Sequence, residues 1–308
     1  MIIRKIKRFI SEPYLLPFRL DEWRIITLPD DKYLKYRYRI QLGKNLDLDN
    51  PKTFDEKMQW LKLNDRNPKY TQMVDKYEAK KYVSEIIGDE YIIPTLGIYN
   101  SYDEIDFDKL PNQFVIKCTH DSGSIVLCKD KKIFDKEKYR DKINKALKTN
   151  YYHSGREWPY KEVKPRILIE KYMEDKKTRD LKDYKFFTFN SVTKCIQVDY
   201  DRFTNHKRAY YDTSWKRLPF TTCYPSDYSI EIDKPDNFEE MKKIVDKITS
   251  TIENNKFLRV DLYSINEKIY FGELTFYPGS GFEKFFPEEW DYKLGEMIDI
   301  SMVDNNEK

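Results

Sequence analysis

Two runs near the C-terminus alternate apolar and polar positions with a period of two. In Phe257-Leu-Arg-Val-Asp-Leu-Tyr263, one side carries Leu258, Val260 and Leu262; the other carries Arg259, Asp261 and Tyr263. In Lys268-Ile-Tyr-Phe-Gly-Glu-Leu-Thr-Phe276, Phe271, Glu273 and Thr275 share a side. Both runs are predicted as strands, with Ser264-Ile-Asn-Glu267 between them as a hairpin turn. Register depends on the loop. A three-residue loop, Asn266 to Lys268, sets Asp261 opposite Glu273 and Arg259 opposite Thr275; a two-residue loop puts the acids on opposite faces. In the first register two carboxylates meet at roughly 5 Å and repel unless a positive charge stands between them. A divalent cation with oxygen ligands meets that need; so does a salt bridge from Arg259 to one acid on a wet sheet face.

The same reading orders the rest of the chain. Thr53-Phe-Asp-Glu56 is a capping box and predicts a helix to Asn64 that buries Phe54, Met58 and Leu61. Asn67-Pro68 breaks it, and a second helix is expected from Lys69 or Tyr70 to Ile87, stopping near Gly88. Tyr91 to Gly97 reads as strand, and Ser101 to Glu104 as a capping box opening a short turn. Pro111 to Cys118 and Ile125 to Cys128 form an expected hairpin, followed by a charged helix from Lys136 to Lys148. Strands are expected over Arg166–Met173, Tyr184–Phe189, Lys194–Asp201 and Lys207–Asp212. Phe238 to Asn254 is a helix with Phe238, Met241, Ile244, Val245, Ile248 and Ile252 on one face. Strands and helices mix without strict alternation, which predicts the α+β class with mainly antiparallel sheets.

Composition narrows the partners. The 308 residues can bury a large core in two or three subdomains, and 16% aromatic content argues for packing. With 56 basic against 53 acidic residues, a dedicated nucleic-acid binder is not expected. The Tyr and basic residues of Lys32 to Arg39 read as a packing segment rather than a single-strand platform. Cys118, Cys128, Cys195 and Cys223 show no CxxC spacing, and only His120 is near any of them, so zinc is not expected and a reduced cytoplasmic protein is. No run of 18 apolar residues exists to span a membrane. Met1 to Ile10 sets Arg4, Lys5, Lys7 and Arg8 against Ile2, Ile3, Ile6, Phe9 and Ile10. That pattern suits peripheral contact with an anionic membrane at its inner face, or an ordinary amphipathic helix. His120, His153 and His206 form no nucleophile–base pattern with a Ser or Cys, so hydrolase chemistry has no support.

The second strand ends in Glu273-Leu-Thr-Phe-Tyr-Pro-Gly-Ser-Gly281, which stops sharply and opens a backbone-rich loop beside the acids. Arg-x-Asp on one strand followed by Glu-x-Thr-x-x-Pro-Gly on the next resembles the metal-binding end of the ATP-grasp superfamily. The wording Arg259-Val-Asp-Leu-Tyr263 with Phe271-Gly-Glu-Leu-Thr-Phe-Tyr277 resembles the TupA-like ATP-grasp family, associated with bacterial capsule, teichuronopeptide and other surface polysaccharide synthesis. Phe54-Asp-Glu-Lys-Met-Gln-Trp-Leu-Lys62, Val74-Asp-Lys-Tyr77 and Phe114-Val-Ile-Lys117 extend the resemblance from about Pro51 to the C-terminus. It implies an ATP-grasp fold of two α+β lobes whose antiparallel sheets clasp the nucleotide. The expected organisation is an N-terminal basic helical or irregular arm (1–50), an N-terminal part (51–110) and the ATP-grasp core (111–304).

The resemblance also implies a site. Lys117 points away from Ile116 and Cys118, and the following loop, with His120, Ser122, Gly123 and Ser124, can cradle phosphate through its N–H groups. The order of a Walker A motif is absent. Strand, lysine, loop, strand resembles the ATP-grasp device that covers the nucleotide. Glu170, Lys171 and Tyr172 are then expected along the adenine, Asp183 near the sugar and Lys185 near the phosphates. Asp261 and Glu273 are the expected Mg²⁺ ligands with Thr275 as a third, although the superfamily more often has Asn there. Arg259 is expected to stabilise the transferred phosphoryl group or an oxyanion. Arg202, Lys207 and Arg208, with the loop residues Gly279 and Ser280, are the candidates for an anionic saccharide or small-molecule acceptor; an ordinary solvated turn explains the basic cluster equally well. The expected activity is ATP- and Mg²⁺-dependent carboxylate–amine ligation through an acyl phosphate. The rivals are a kinase at the same site, a glycosyltransferase with only Asp47-Leu-Asp49 as an Asp-x-Asp match, and a membrane-associated scaffold that binds nucleotide without chemistry.

Overall fold

The computed structural model describes residues 15–176, 182–201 and 205–301. The basic segment Met1–Ile10 and Arg202 lie outside them. Two antiparallel sheets organise the chain. The smaller contains β1 (Thr95–Tyr99), β2 (Phe114–Cys118), β3 (Val126–Cys128) and β4 (Ile167–Lys171) in the order β1-β4-β2-β3. The larger contains β5 (Asp183–Phe189), β6 (Val192–Tyr200), β7 (Lys207–Asp212), β8 (Arg217–Leu218), β9 (Phe257–Ile265) and β10 (Lys268–Thr275) in the order β10-β9-β5-β6-β7-β8.

Helix Phe54–Asn64 starts at the expected capping box. Thr53 Oγ1 accepts the Glu56 N–H, and Glu56 returns a carboxylate to the Thr53 N–H. It buries Phe54, Met58 and Leu61. The single helix expected to Ile87 is instead two, Tyr70–Val74 and Glu78–Ile87. Asp75 between them is extended, and its Oδ1 accepts the Tyr77 and Glu78 N–H groups, a local cap that competes with helix continuation. The strand expected over Tyr91–Gly97 is displaced. Asp89–Tyr91 forms a short 3₁₀ turn, Ile92 makes a single bridge to Phe271, and the strand begins at Thr95. Helix Phe238–Thr249 ends before the expected Asn254, because Ser250 and Thr251 turn their hydroxyls back onto the Lys247 and Ile248 carbonyls.

The larger sheet has two unlike faces. Leu258, Val260 and Leu262 of β9 continue the apolar face of Phe186, Ile196 and Val198, on which helix Phe238–Thr249 lays Phe238 and Met241. The Phe186 and Phe238 rings stack with centroids 5.9 Å apart. The opposite face carries a row across four strands: Glu273 opposite Asp261, Asp261 opposite Lys185, Lys185 opposite Gln197. Phe54 covers one end of this face against Phe187 and Phe257. The rest faces the cleft between the sheets.

The acids meet by a route the loop length does not predict. The β9–β10 turn has two residues, Asn266 and Glu267, with φ of +50° and +68°, the twist a tight hairpin requires. That register alone would separate the acids. A bulge between Phe271 and Glu273 shifts the pairing by one and returns Glu273 to Asp261 and Thr275 to Arg259. Gly272 is the residue absorbed there. A Cβ on it would stand 3.0 Å from the Asp261 carbonyl oxygen and 3.0 Å from the Tyr263 ring. Gly272→Val is therefore expected to cost about 1–3 kcal/mol and to displace Asp261. Urea midpoints and MgATP affinity, both lowered, check it; unchanged affinity in a destabilised variant would show that the bulge serves folding alone.

The described part of the N-terminal arm, from residue 15, packs on the core. Helix Asp30–Leu42 buries Tyr33, Leu34, Tyr38 and Leu42, so the Tyr-rich run is a packing face. Tyr38 meets Phe282, and Arg156 pairs Asp21 at 2.7 Å. Among the described residues no helix is long and apolar enough to cross a membrane.

Candidate active site

The larger sheet contributes a charge cluster built on adjacent strands. Arg259 donates Nε–H to Asp261 Oδ1 at 2.6 Å, and Nη2–H to Asp261 Oδ2 at 2.8 Å, to Glu273 Oε1 at 2.8 Å and to Thr275 Oγ1 at 3.0 Å. Lys185 donates to Asp183 at 2.5 Å and to Asp261 on the neighbouring strand. The positive charge between the acids is thus Arg259, spanning both of them rather than one, and the face is enclosed rather than wet. Asp261 is 1% exposed. Burial, with Asp183 and Glu273 nearby, pushes the Asp261 carboxyl up to about 6 against the pull of Arg259 and Lys185. Burial opposes the charge on Arg259 and Lys185, but their carboxylates outweigh it and hold both groups above their ordinary values.

Glu273 is the open member. Its side chain is 43% exposed, yet protein surrounds it in the cleft. Enclosure raises its carboxyl, but Arg259, Lys185, Lys76 and Lys117 prevail and hold it at about 2. Two of those cations belong to the opposite side of the cleft.

That side is built on the smaller sheet. Glu170 on β4 and Lys117 on β2 lie on adjacent strands, and Lys117 Nζ meets Glu170 Oε2 at 2.5 Å. Lys80, from helix Glu78–Ile87, meets Glu170 Oε1 at 2.6 Å and donates to the Ile93 carbonyl and, at 3.1 Å, to Thr95 Oγ1. Burial raises Glu170, but its two lysines outweigh it and hold the carboxyl below the ordinary range; burial lowers Lys80 despite Glu170. The opposed directions have one cause. The carboxylate is stabilised by two ammoniums, whereas the two ammoniums share one carboxylate and repel each other.

The loop after β2 folds on itself. Ser124 donates its hydroxyl to Asp121 Oδ1 at 2.7 Å and accepts the Cys118 N–H at 2.8 Å. Ser122 and Gly123 remain exposed at the tip; Gly123 has φ +100°, and a Cβ added to it would meet no atom within 4 Å. Lys76 lies under the loop and donates to the Cys118 carbonyl at 3.2 Å and to the Asp121 carbonyl. His120, expected to face the nucleotide, is a correction. It is 2% exposed, and its Nε2 lies 3.1 Å from the Ala146 carbonyl and 3.2 Å from that of Thr149, so the ring packs at a helix end.

Other expected residues are distributed as follows. Asp183 is buried against Lys185, and Lys171 is exposed at the end of β4 beside half-buried Tyr172. Arg202 lies outside the described residues, and the other two members of the expected basic acceptor cluster stand apart. Lys207 and Arg208 are consecutive on β7 and diverge: Lys207 pairs Asp227 at 2.7 Å, while Arg208 is 7% exposed and pairs Asp199 at 2.7 Å. Neither guanidinium nor ammonium is left uncommitted for an acceptor anion. Gly279 and Ser280 both adopt left-handed backbone, with φ of 54° and 56°.

Lys62 underlies that loop, and the sequence reading does not single it out. Its ammonium is fully buried and donates to Gln59 Oε1, the Gly155 carbonyl and the Ser280 carbonyl, each at 2.8 Å. Burial brings Lys62 down to about 7, although Glu157 opposes the shift. Both Lys62 and Lys80 do leave a sequence signal. Lys62 follows Met58 by four, and Lys80 precedes Val83 by three and Ile87 by seven, so each is a lysine on an apolar helix stripe.

Two α+β lobes, a lysine-bearing sheet opposite an Arg-Asp-Glu sheet, and a loop over the cleft define an ATP-grasp protein. The chain belongs to the TupA-like ATP-grasp family, whose model matches residues 56–299. No curated protein matches the sequence. Among solved structures, D-alanine–D-alanine ligase from Helicobacter pylori is similar at 14% identity and a TM-score of 0.44, over 80% of this chain and 65% of that one. The D-alanine–D-alanine ligase from Bacillus anthracis complexed with ATP gives 15% and 0.42, over 73% and 63%. N5-carboxyaminoimidazole synthetase from Staphylococcus aureus complexed with ADP gives 14% and 0.38, over 66% and 44%. The chain spans less than two thirds of the length of each.

Proposed function

We propose that the protein is an ATP- and Mg²⁺-dependent ligase that joins a carboxylate to an amine through an acyl phosphate, in the cytoplasm, during assembly of a bacterial surface polysaccharide. One observation carries the nucleotide part: Glu273 opens into a cleft where it feels Arg259 and Lys185 from one sheet and Lys76 and Lys117 from the other side. Such a ring of fixed cations suits a polyphosphate. The polysaccharide role rests on the family alone. Buried free Cys118, Cys128 and Cys195 are consistent with a reducing compartment.

Asp261, Glu273 and Thr275 present oxygen donors of the kind Mg²⁺ takes. Among the described residues no three His, Cys, Asp or Glu side chains are grouped to hold a metal ion unaided. Phosphate oxygens and water would complete the set, the usual arrangement for Mg²⁺. Bound there, Mg²⁺ would neutralise charge on the phosphates. Lys117 and the exposed Ser122–Gly123 tip cover the phosphates, and Arg259 holds Asp261 and Glu273 in place while facing the phosphoryl group. Lys171 and Tyr172, at the end of β4, border the base, and Asp183 and Lys185 lie towards sugar and phosphate. In the first half-reaction an acceptor carboxylate oxygen bonds to the γ-phosphorus as the bond to ADP breaks. In the second, an amine bonds to the acyl carbon, phosphate leaves with the bonding pair, and the amine loses a proton to solvent. Calorimetry should show ATP binding that requires Mg²⁺ and weakens about tenfold or more in Glu273→Gln, a loss of about 1.4 kcal/mol. A folded wild-type protein that binds no ATP would overturn the reading. ADP with a phosphorylated acceptor, in place of ADP, phosphate and an amide, would replace ligase by kinase.

A further inference from the structure

Away from the cleft, a cavity of about 210 Å³ lies where helix Glu289–Glu296 meets the start of helix Phe54–Asn64. The two elements touch closely: a Cβ on Gly295 would stand 2.2 Å from the Lys52 carbonyl oxygen. Asp291 uses the contact to cap the other helix, its Oδ1 accepting the Asp55 N–H at 3.0 Å. Asp55 itself has no such use. It is 1% exposed, it lines the cavity, and neither carboxyl oxygen has a hydrogen-bond partner. The Glu283 N–H approaches that carboxyl without reaching hydrogen-bond geometry.

Glu283 completes the acidic lining, and Leu42 and Phe285 supply apolar wall. Burial and the mutual repulsion of Asp291 and Glu283 raise Asp55 well above the ordinary carboxyl range, and burial takes Asp291 to about 6. The nearby cations are committed elsewhere. Lys44 pairs Glu288 at 2.6 Å at the exposed rim, and Lys62, behind Asp55, is held by Gln59, Gly155 and Ser280. Glu283 is paired with Arg208 at 3.4 Å and Lys284 lines the wall, so Asp55 and Asp291 are the lining acids with no ion pair among the described residues.

We infer that this cavity is a recognition site for a ligand carrying a primary ammonium on a short hydrocarbon stem. A bare metal ion fits poorly. No three acids among the described residues are grouped to hold one, and the space is several times the roughly 30 Å³ that one water occupies. An ammonium supplies donors for Asp55 and Asp291, and Leu42 and Phe285 take the stem. The site recognises and does not react, because an amine held between carboxylates stays protonated and is no nucleophile. Glu283 also ties the cavity to the loop after β10: a Cβ on Gly279 would stand 2.2 Å from Glu283 Cγ. The inference does not depend on the ligase reading, so its test omits nucleotide.

Propylamine hydrochloride titrated into the full chain, with propanol and MgCl₂ as controls, should give saturable binding for propylamine alone. Asp55→Asn and Asp291→Asn should each bind about tenfold more weakly. Leu42→Trp, which fills the cavity with every carboxylate intact, should give the same loss and covers the case in which an acid variant fails to fold. No propylamine binding by wild type, equal binding of propanol or Mg²⁺, or binding unchanged by Leu42→Trp would each overturn the site.

Discussion

Asp261→Asn is expected to abolish Mg²⁺-dependent ATP binding and to lower stability by about 3 kcal/mol. Asp261 is 1% exposed and accepts both a two-pronged contact from Arg259 and the Lys185 ammonium. Removing one member of a buried pair ordinarily costs about 3–5 kcal/mol, because the remaining charge is uncompensated. Here the lower end applies. Arg259 keeps Glu273 and Lys185 keeps Asp183, so each cation retains a carboxylate. The acidity of Asp261 works against part of that cost, because a raised carboxyl means that the fold disfavours its ionised form. Its folded value near 6 exceeds the ordinary value of 3.8, so this group's contribution to stability is complete below the ordinary value and fades as pH rises through 6. Urea titrations at pH 5 and pH 8 should therefore show the wild type losing part of its margin over Asp261→Asn on the alkaline side. Calorimetry with MgATP reads the other half. A variant that is destabilised yet binds MgATP normally would separate Asp261 from the nucleotide and leave it a structural charge.

Glu170→Gln should be at least as costly, about 3–5 kcal/mol, for a different reason. Its carboxylate is 5% exposed and separates Lys80 from Lys117. Glutamine leaves two enclosed ammoniums side by side, with Lys80 held only by the Ile93 carbonyl and Thr95 hydroxyl. Lys80, already lowered by burial, falls further. Adding Lys80→Met to Glu170→Gln should recover part of the loss, because an apolar side chain removes a buried charge that has no partner. The acid limb supplies a second check. The folded Glu170 carboxyl lies below its ordinary range, so its contribution is present above about 4.3 and disappears as pH falls through the folded value. Wild type should lose stability on acidification where Glu170→Gln does not. Equal stability of Glu170→Gln and wild type at neutral pH would show that the triad is solvated and plays no part in holding the lobe.

The alternating runs of β9 and β10, the capping box at Thr53 and the apolar stripe of Phe238 to Ile248 are local. Each depends on residues a few positions apart, and the sequence alone determines them. The same holds for Arg259 and Asp261 sharing one face and Glu273 and Thr275 another, since alternation sets which side chains share a side. The means by which those two faces meet is not local. A two-residue turn combined with a bulge at Gly272 gives the same facing as a three-residue loop, and only the backbone contact with Asp261 distinguishes them. The break at Asp75 belongs with it, because its side-chain cap competes with an otherwise continuous helical pattern. Tertiary structure alone decided what each charged group meets. Lys80 and Glu170 are 90 positions apart, and Lys185 and Asp261 76. Arg208, legible as a free cation beside Lys207, is buried because strand alternation turns it inward onto Asp199. His120 is turned into a helix end by the fold of a loop whose sequence reads equally well as an open phosphate cradle. Sequence periodicity specifies a face; partners across strands and lobes are specified by packing, which joins residues that no local rule connects.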